Sequence, residues 1–129
     1  MNVRDAALRS GLPAKTIRYY DDIGLVVPDR LGNGYRDYDI SAVQKLAFLK
    51  RARQLGFSID DCRQLLSLYE DKDRASADVK ALAETHLAEI DKRLEELEHL
   101  RDTLKHLIHA CRGDDRPDCP ILADLSGSE

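Results

Sequence analysis

The chain has 129 residues and a formal net charge of −4, with 43% hydrophobic and 34% charged residues, no Trp and two Phe. That size holds one domain, or a small domain with an extension, and so few aromatics argue against a large aromatic-lined pocket. No apolar run approaches membrane-spanning length and no signal-peptide pattern opens the chain, which predicts a cytoplasmic protein with no membrane partner.

The charge is unevenly spread. Residues 1–57 carry ten Lys/Arg and six Asp/Glu, a net +4, while residues 58–129 carry ten and eighteen, a net −8. A basic front half points to a polyanion, and an acidic rear half to some other task. Three cysteines in a reducing compartment disfavour a disulfide framework.

Val3 to Leu8 reads as a short helix, with Gly11 as a turn and Leu12 as a core plug. Pro13 starts a second helix that places Lys15, Arg18 and Tyr19 on one face. Two short helices around a Gly-containing turn make a helix-turn-helix, whose second helix enters a DNA major groove. Arg and Lys then reach phosphates or guanine edges, and tyrosine hydroxyls reach phosphates. A packed helix pair with solvated charges fits the same pattern. Residues 24–28 leave the helix, and 29–34 form a loop closed by Asn33-Gly34, a strong turn signal. Tyr35 to Tyr38 alternates as a small strand. This predicts a β-wing that turns Tyr35 and Arg36 toward the DNA backbone and Tyr38 inward.

Ser41-Ala42-Val43-Gln44 reads as a capping box for a helix that stops near Gly56. Ser58 caps the next helix, whose inner face is Ile59, Cys62, Leu65, Leu66 and Tyr69, with Phe57 able to staple onto Cys62. Cys62 reads as a small buried hydrophobe. Lys50, Arg51 and Arg53 form a second basic cluster, either an extension of the phosphate footprint or a solvated face. Residues 70–75 lack periodicity and read as a hinge. Ser76 caps a long helix that runs to about Ala110, roughly 51 Å at 1.5 Å per residue. Ala83, Ile90, Leu97, Leu104 and Cys111 recur every seven residues, with Leu87 and Leu94 between them. That repeat predicts a coiled-coil seam, most simply against a second copy, which suits a helix-turn-helix reading a pseudo-palindrome. His86, His99, His106 and His109 are scattered along the helix and read as solvated.

The helix ends in Cys111-Arg-Gly-Asp-Asp-Arg-Pro-Asp-Cys119. Gly113 and Pro117 let this loop fold back and bring the two sulfurs together. Pro120 opens a short helix through Leu125, so Cys119 stands at a helix start, where backbone NH groups lower a thiol pKa. Soft thiolates suit monovalent d10 ions, whereas zinc usually takes four ligands and this loop offers two sulfurs with no close histidine. A reversible disulfide between the same cysteines, acting as a redox switch on transcription, is an alternative use. A metal-storage or metallochaperone module is another, though it leaves the wing and its basic helix unexplained. No convergent nucleophile and base appear, which disfavours an enzyme.

Thr16-Ile17-Arg18-Tyr19-Tyr20-Asp21 with Ile23-Gly24-Leu25-Val26, then Asn33-Gly34-Tyr35-Arg36 and Arg53-Gln54-Leu55-Gly56-Phe57, resembles the MerR family of transcriptional regulators. Ser76-Ala77-Asp78-Val79-Lys80, the Cys111/Cys119 spacing and Asp118-Cys119-Pro120-Ile121 are similar to its copper-efflux branch. The resemblance implies a mainly α fold. A winged helix-turn-helix domain would span 1–70. A hinge and dimerisation helix would span 71–110, pairing as an antiparallel coiled coil. A metal-binding loop, short helix and tail would span 111–129. It implies a homodimer on double-stranded promoter DNA, alongside RNA polymerase, with DNA contacts from Lys15, Thr16, Arg18, Tyr19, Tyr20, Tyr35, Arg36 and Arg53. It implies one Cu(I), Ag(I) or Au(I) per subunit on Cys111 and Cys119. Ser76 would stand beside that site, where divalent-ion sensors of the family carry a cysteine. Metal would order the loop, seat the short helix on the hinge and distort an overlong promoter spacer, activating copper-efflux or detoxification genes.

Overall fold

The computed structural model describes residues 1–127. Six helices and one two-stranded hairpin follow in order: α1 (Val3–Ser10), α2 (Ala14–Asp22), β1 (Asp29–Arg30), β2 (Arg36–Asp37), α3 (Ile40–Gln54), α4 (Ile59–Glu70), α5 (Ser76–Ala110) and α6 (Pro120–Leu125). The fold is mainly helical, as expected. It divides into two units, Met1–Leu82 and the chain from Ala83 onward. The first unit therefore includes the opening turns of α5, beyond the expected boundary at residue 70.

The first unit has one core. Ile17 and Tyr20 of α2, Leu46 and Leu49 of α3, Cys62 and Leu65 of α4, and Tyr38 after the wing are all buried together. Val79 and Leu82 pack at its edge. Local chemistry sets the element ends. The Asn2 carboxamide oxygen accepts from the Asp5 NH at the start of α1. Gly11 ends that helix in the left-handed region, φ +78°, and its NH bonds the Ala7 carbonyl. A Cβ at Gly11 would lie 2.5 Å from Lys50 Nζ, so the end of that α3 side chain reaches over the α1–α2 turn. Ser58 Oγ accepts from the Asp61 NH and caps α4 as expected.

Three expectations move. The cap of α3 is Asp39, whose carboxylate accepts from the Ala42 NH at 2.7 Å, so the helix starts upstream of the Ser41–Gln44 box. A carboxylate at the N-cap outcompetes a hydroxyl two residues later. Ser76 is the first residue of α5 and not its cap. Tyr69 is 47% exposed, stacked on Phe48 with ring centroids 4.7 Å apart, and so sits at the rim of the core.

The hinge is an ordered turn. The Asp71 carboxylate accepts from the Asp73 NH, and Arg74 Nη1 donates to the carbonyls of Tyr69 and Asp71.

In the second unit α5 continues to Ala110, followed by a loop and α6. Helix α5 has 35 residues and contains no buried residue among those described. Leu87, Ile90, Leu94, Leu97, Leu100, Leu104 and Ile108 are all exposed along it. No helix of the described residues is long and apolar enough to cross a membrane.

Candidate nucleic-acid interface and thiol pair

Helix α2 presents a polar face built as its spacing predicts. Lys15, Arg18 and Tyr19 are exposed and Thr16 is half-buried, while Ile17 and Tyr20 turn inward. Tyr20 is 4% exposed, and burial pushes its hydroxyl pKa up. This corrects the expectation that Tyr20 reaches DNA: adjacent residues on a helix point about 100° apart, and Tyr20 falls with Ile17 on the core side.

The wing is a short antiparallel hairpin with Asp29 opposite Asp37 and Arg30 opposite Arg36. At its tip the Gly34 NH donates to the Leu31 carbonyl at 2.8 Å, and Asn33 Oδ1 accepts from the Tyr35 NH. Gly34 has φ +83°, a conformation glycine adopts without strain. Tyr35 projects from this tip, 71% exposed.

Arg36 is engaged within the protein. Its Nε donates to Asp21 Oδ2 at 2.7 Å, and Arg30 Nη2 donates to the same oxygen at 2.9 Å. Asp21 lies in the last turn of α2 and its side chain is only 7% exposed. One carboxylate thus ties both wing strands to the recognition helix. The hydrogen bond to Asp21 raises the Arg36 pKa further. Arg53 is likewise engaged within the protein: its Nη1 donates to the Phe57 carbonyl at 2.6 Å, where α3 gives way to α4. Spacing along the chain does not reveal the Arg36 partner fifteen residues earlier, nor that the Arg53 guanidinium turns to a carbonyl four residues on. An acidic residue at a helix end followed by a hairpin with arginines at opposed positions was the available signal. Arg63 of α4 was also missed. Its Nη2 donates to the Ile23 carbonyl at 2.9 Å and its Nη1 to the Gly24 carbonyl at 3.4 Å, satisfying carbonyls just past the end of α2.

Between the wing and the recognition helix lies an open cleft of about 730 Å³, bordered by Arg4, Arg18, Leu31, Tyr35 and Arg36. Its walls carry guanidinium and phenol groups, chemistry that suits a phosphate-bearing strand.

At the far end of the chain, Cys111 follows the last residue of α5, and its NH bonds the Leu107 and Ile108 carbonyls. Cys119 is the N-cap of α6, with Pro120 behind it. Gly113 (φ +66°) turns the intervening loop, and the Asp114 carboxylate accepts from the Arg116 NH at 3.0 Å. The Cys111 thiol stands close enough to Cys119 to favour its ionised form. The backbone NH groups of Leu122 and Ile121, together with that thiol, hold Cys119 below the usual thiol pKa. Cys62, by contrast, is fully buried and its thiol pKa is raised by that burial. Among the described residues no three His, Cys, Asp or Glu side chains gather in a way that could hold a metal. The loop itself carries two free thiols, Cys111 and Cys119.

Residues 1–68 match the MerR HTH family regulatory protein domain and residues 43–107 the MerR, DNA binding domain. This chain belongs to the MerR family of transcriptional regulators. It is 66% identical over 126 residues to the HTH-type transcriptional regulator HmrR of Rhizobium leguminosarum bv. viciae, covering 98% of each. It is 44% identical over 128 residues to the regulator CueR of Salmonella typhimurium, covering 98% of this chain and 93% of that one. Its fold superimposes on the crystal structure of the transcription regulator PbrR691 of Ralstonia metallidurans CH34 in complex with lead(II), with a TM-score of 0.86, 29% identity, and coverage of 97% and 98%. MerR membership makes the chain a DNA-binding regulator and accounts for the helix-turn-helix, the wing and the long helix. It does not assign the individual contacts, which rest on the geometry above.

Proposed function

We propose that this MerR-family chain senses Cu(I), with Ag(I) and Au(I) as alternative inducers, one ion per subunit on Cys111 and Cys119. In this reading it activates copper-efflux or detoxification genes from promoter DNA held by a homodimer in the cytoplasm. The observation that carries the reading is the thiol pair: Cys111 ends α5, Cys119 caps α6, and helix-start NH groups together with the Cys111 thiol favour Cys119 as thiolate. A bound soft cation would supply a two-point link between the end of α5 and the start of α6.

The protein's own groups do the rest. The Leu122 and Ile121 NH groups favour negative charge on Cys119 and would offset the residual charge of a dithiolate holding a monovalent ion. The exposed apolar stripe of α5, from Leu87 to Ile108, is cover for a second α5. In an antiparallel pairing, Ser76 of the partner subunit stands beside Cys111 and offers a hydroxyl where a third thiolate would complete a divalent-ion site. At the DNA end, Lys15, Thr16, Arg18, Tyr19 and Tyr35 face the duplex, while Arg36 and Arg53 hold the surface that carries them. Distorting a promoter spacer alongside RNA polymerase costs on the order of a few kcal/mol, so ion binding needs only a comparable preference for the distorting state.

A Cu(I) competition titration of the purified, strictly reduced chain tests the reading. One equivalent bound per chain supports it. No stoichiometric binding overturns it, and would be the behaviour of a regulator that uses the same thiols for redox chemistry.

A further inference from the structure

The basic side chains around the recognition helix fall into two groups. Arg30 and Arg36 are taken by Asp21, Arg53 by the Phe57 carbonyl, and Arg63 by the carbonyls after α2. Lys15 and Arg18 of α2 are exposed, and among the described residues their side chains make no hydrogen bond or ion pair. Arg4, in the first turn of α1, shares that condition. An unpaired surface cation is ordinary in itself. What sets Arg4 apart is its place. Arg4 and Arg18 together border the 730 Å³ cleft that faces the wing tip. The same two residues also border a second open groove of about 740 Å³, between α1 and the start of α2, lined by Ala7, Leu12 and Pro13. Two guanidinium groups from different helices therefore form the ridge between two concavities.

We propose that Arg4 is a DNA phosphate contact, acting with Arg18 as a two-guanidinium clamp on one backbone strand. The proposal rests on the DNA-binding reading of α2 and the wing. A strand touched by both Arg18 and Tyr35 runs along the cleft, whose other cations, the Met1 ammonium and Arg36, are held by Asp37 and Asp21, which leaves Arg4. Nothing inside the protein competes for the Arg4 charge, whereas Arg36, in the same cleft, is already held by Asp21. The contact is to backbone, so it adds affinity without reading sequence.

The test is a salt titration of binding, by fluorescence anisotropy, on a mixed-sequence duplex and on the DNA upstream of the chain's own coding region. Arg4→Gln lowers the slope of log affinity against log salt by about 1 for each chain bound. Between 50 and 200 mM salt the variant then loses about 3.5-fold less affinity per chain than the parent does. Arg4→Lys keeps the parental slope. Arg9→Gln removes the same charge from the same helix, at an exposed position outside both concavities, and also keeps it. An unchanged slope for Arg4→Gln overturns the proposal. So does an equal drop for Arg9→Gln, which would make the effect one of net charge, or a drop confined to one of the two duplexes. A parent chain with no salt-dependent DNA binding overturns instead the reading on which the proposal rests.

Discussion

The chain from Met1 to Leu82 and the chain from Ala83 onward are stabilised by different means. The first unit encloses Ile17, Tyr38, Leu46, Leu49 and Cys62 completely, and its key polar side chains are tied to one another or to backbone carbonyls. The second has a long helix with no buried residue among those described, a loop held by short-range turns, and a six-residue helix with Leu122 and Leu125 exposed. A segment with little burial inside its own chain depends on a partner or a ligand for a fixed arrangement. The DNA-reading unit can be rigid because its shape is determined within itself. On the proposed function, an ion joining Cys111 and Cys119 would act on a loop and a short helix that bury little of their own surface.

The sharpest break of this contrast is at the thiols. Cys111→Ser or Cys119→Ser is expected to abolish metal-induced transcription in a promoter-reporter assay and to leave operator affinity in a gel shift unchanged. Retained induction by either variant would remove that cysteine from the site. The contrast in stability comes next. Leu46→Ala, in the enclosed core, is expected to destabilise the chain by about 2–5 kcal/mol in urea unfolding. Leu122→Ala, 65% exposed, is expected to change stability by no more than about 0.5 kcal/mol. A large effect at Leu122 would mean that α6 is held far more firmly than its exposure indicates.

A smaller effect is expected at the joint between wing and recognition helix. Asp21→Ala leaves Arg30 and Arg36 facing each other across the hairpin without their shared carboxylate. Removing one partner of a fully buried pair costs about 3–5 kcal/mol, but both arginines keep access to water, so about 2 kcal/mol is expected here. Operator affinity should fall together with stability, since the wing loses its fixed place beside α2. Full affinity in Asp21→Ala would show that the hairpin positions itself.

How far these features could be read from residues alone follows the same division. The helix-turn-helix, the Asn33-Gly34 turn, the cap at Ser58 and the extent of α5 to Ala110 depend on neighbours within a turn or two, and local patterns expose them. The folded-back loop was equally readable, because Gly113 and Pro117 act on their own backbone. What escaped was decided at a distance. Asp21 takes Arg36 from across fifteen residues, Arg63 reaches carbonyls some forty residues earlier, and Tyr20 turns inward because a core exists on that side. The cap at Asp39 escaped for a local reason, two capping signals standing side by side with the stronger one less conspicuous.

The smallest expected effect compares two thiols of the same chain. Cys119 has its pKa lowered by the Leu122 and Ile121 NH groups and by the Cys111 thiol, so at a given pH more of it is thiolate than of an ordinary cysteine. Cys62 is raised by burial and shielded from solvent. Because only the thiolate is alkylated, the rate of iodoacetamide modification at Cys119 should climb with pH to a midpoint below the ordinary thiol value of about 8.5. Cys62 should stay unmodified across that range until the chain unfolds. Mass spectrometry of the metal-free, reduced protein resolves the two sites. A Cys119 midpoint at or above the ordinary value would mean that the helix-start NH groups do not reach the sulfur in solution. The charge balance invoked for a dithiolate site would then lose its source.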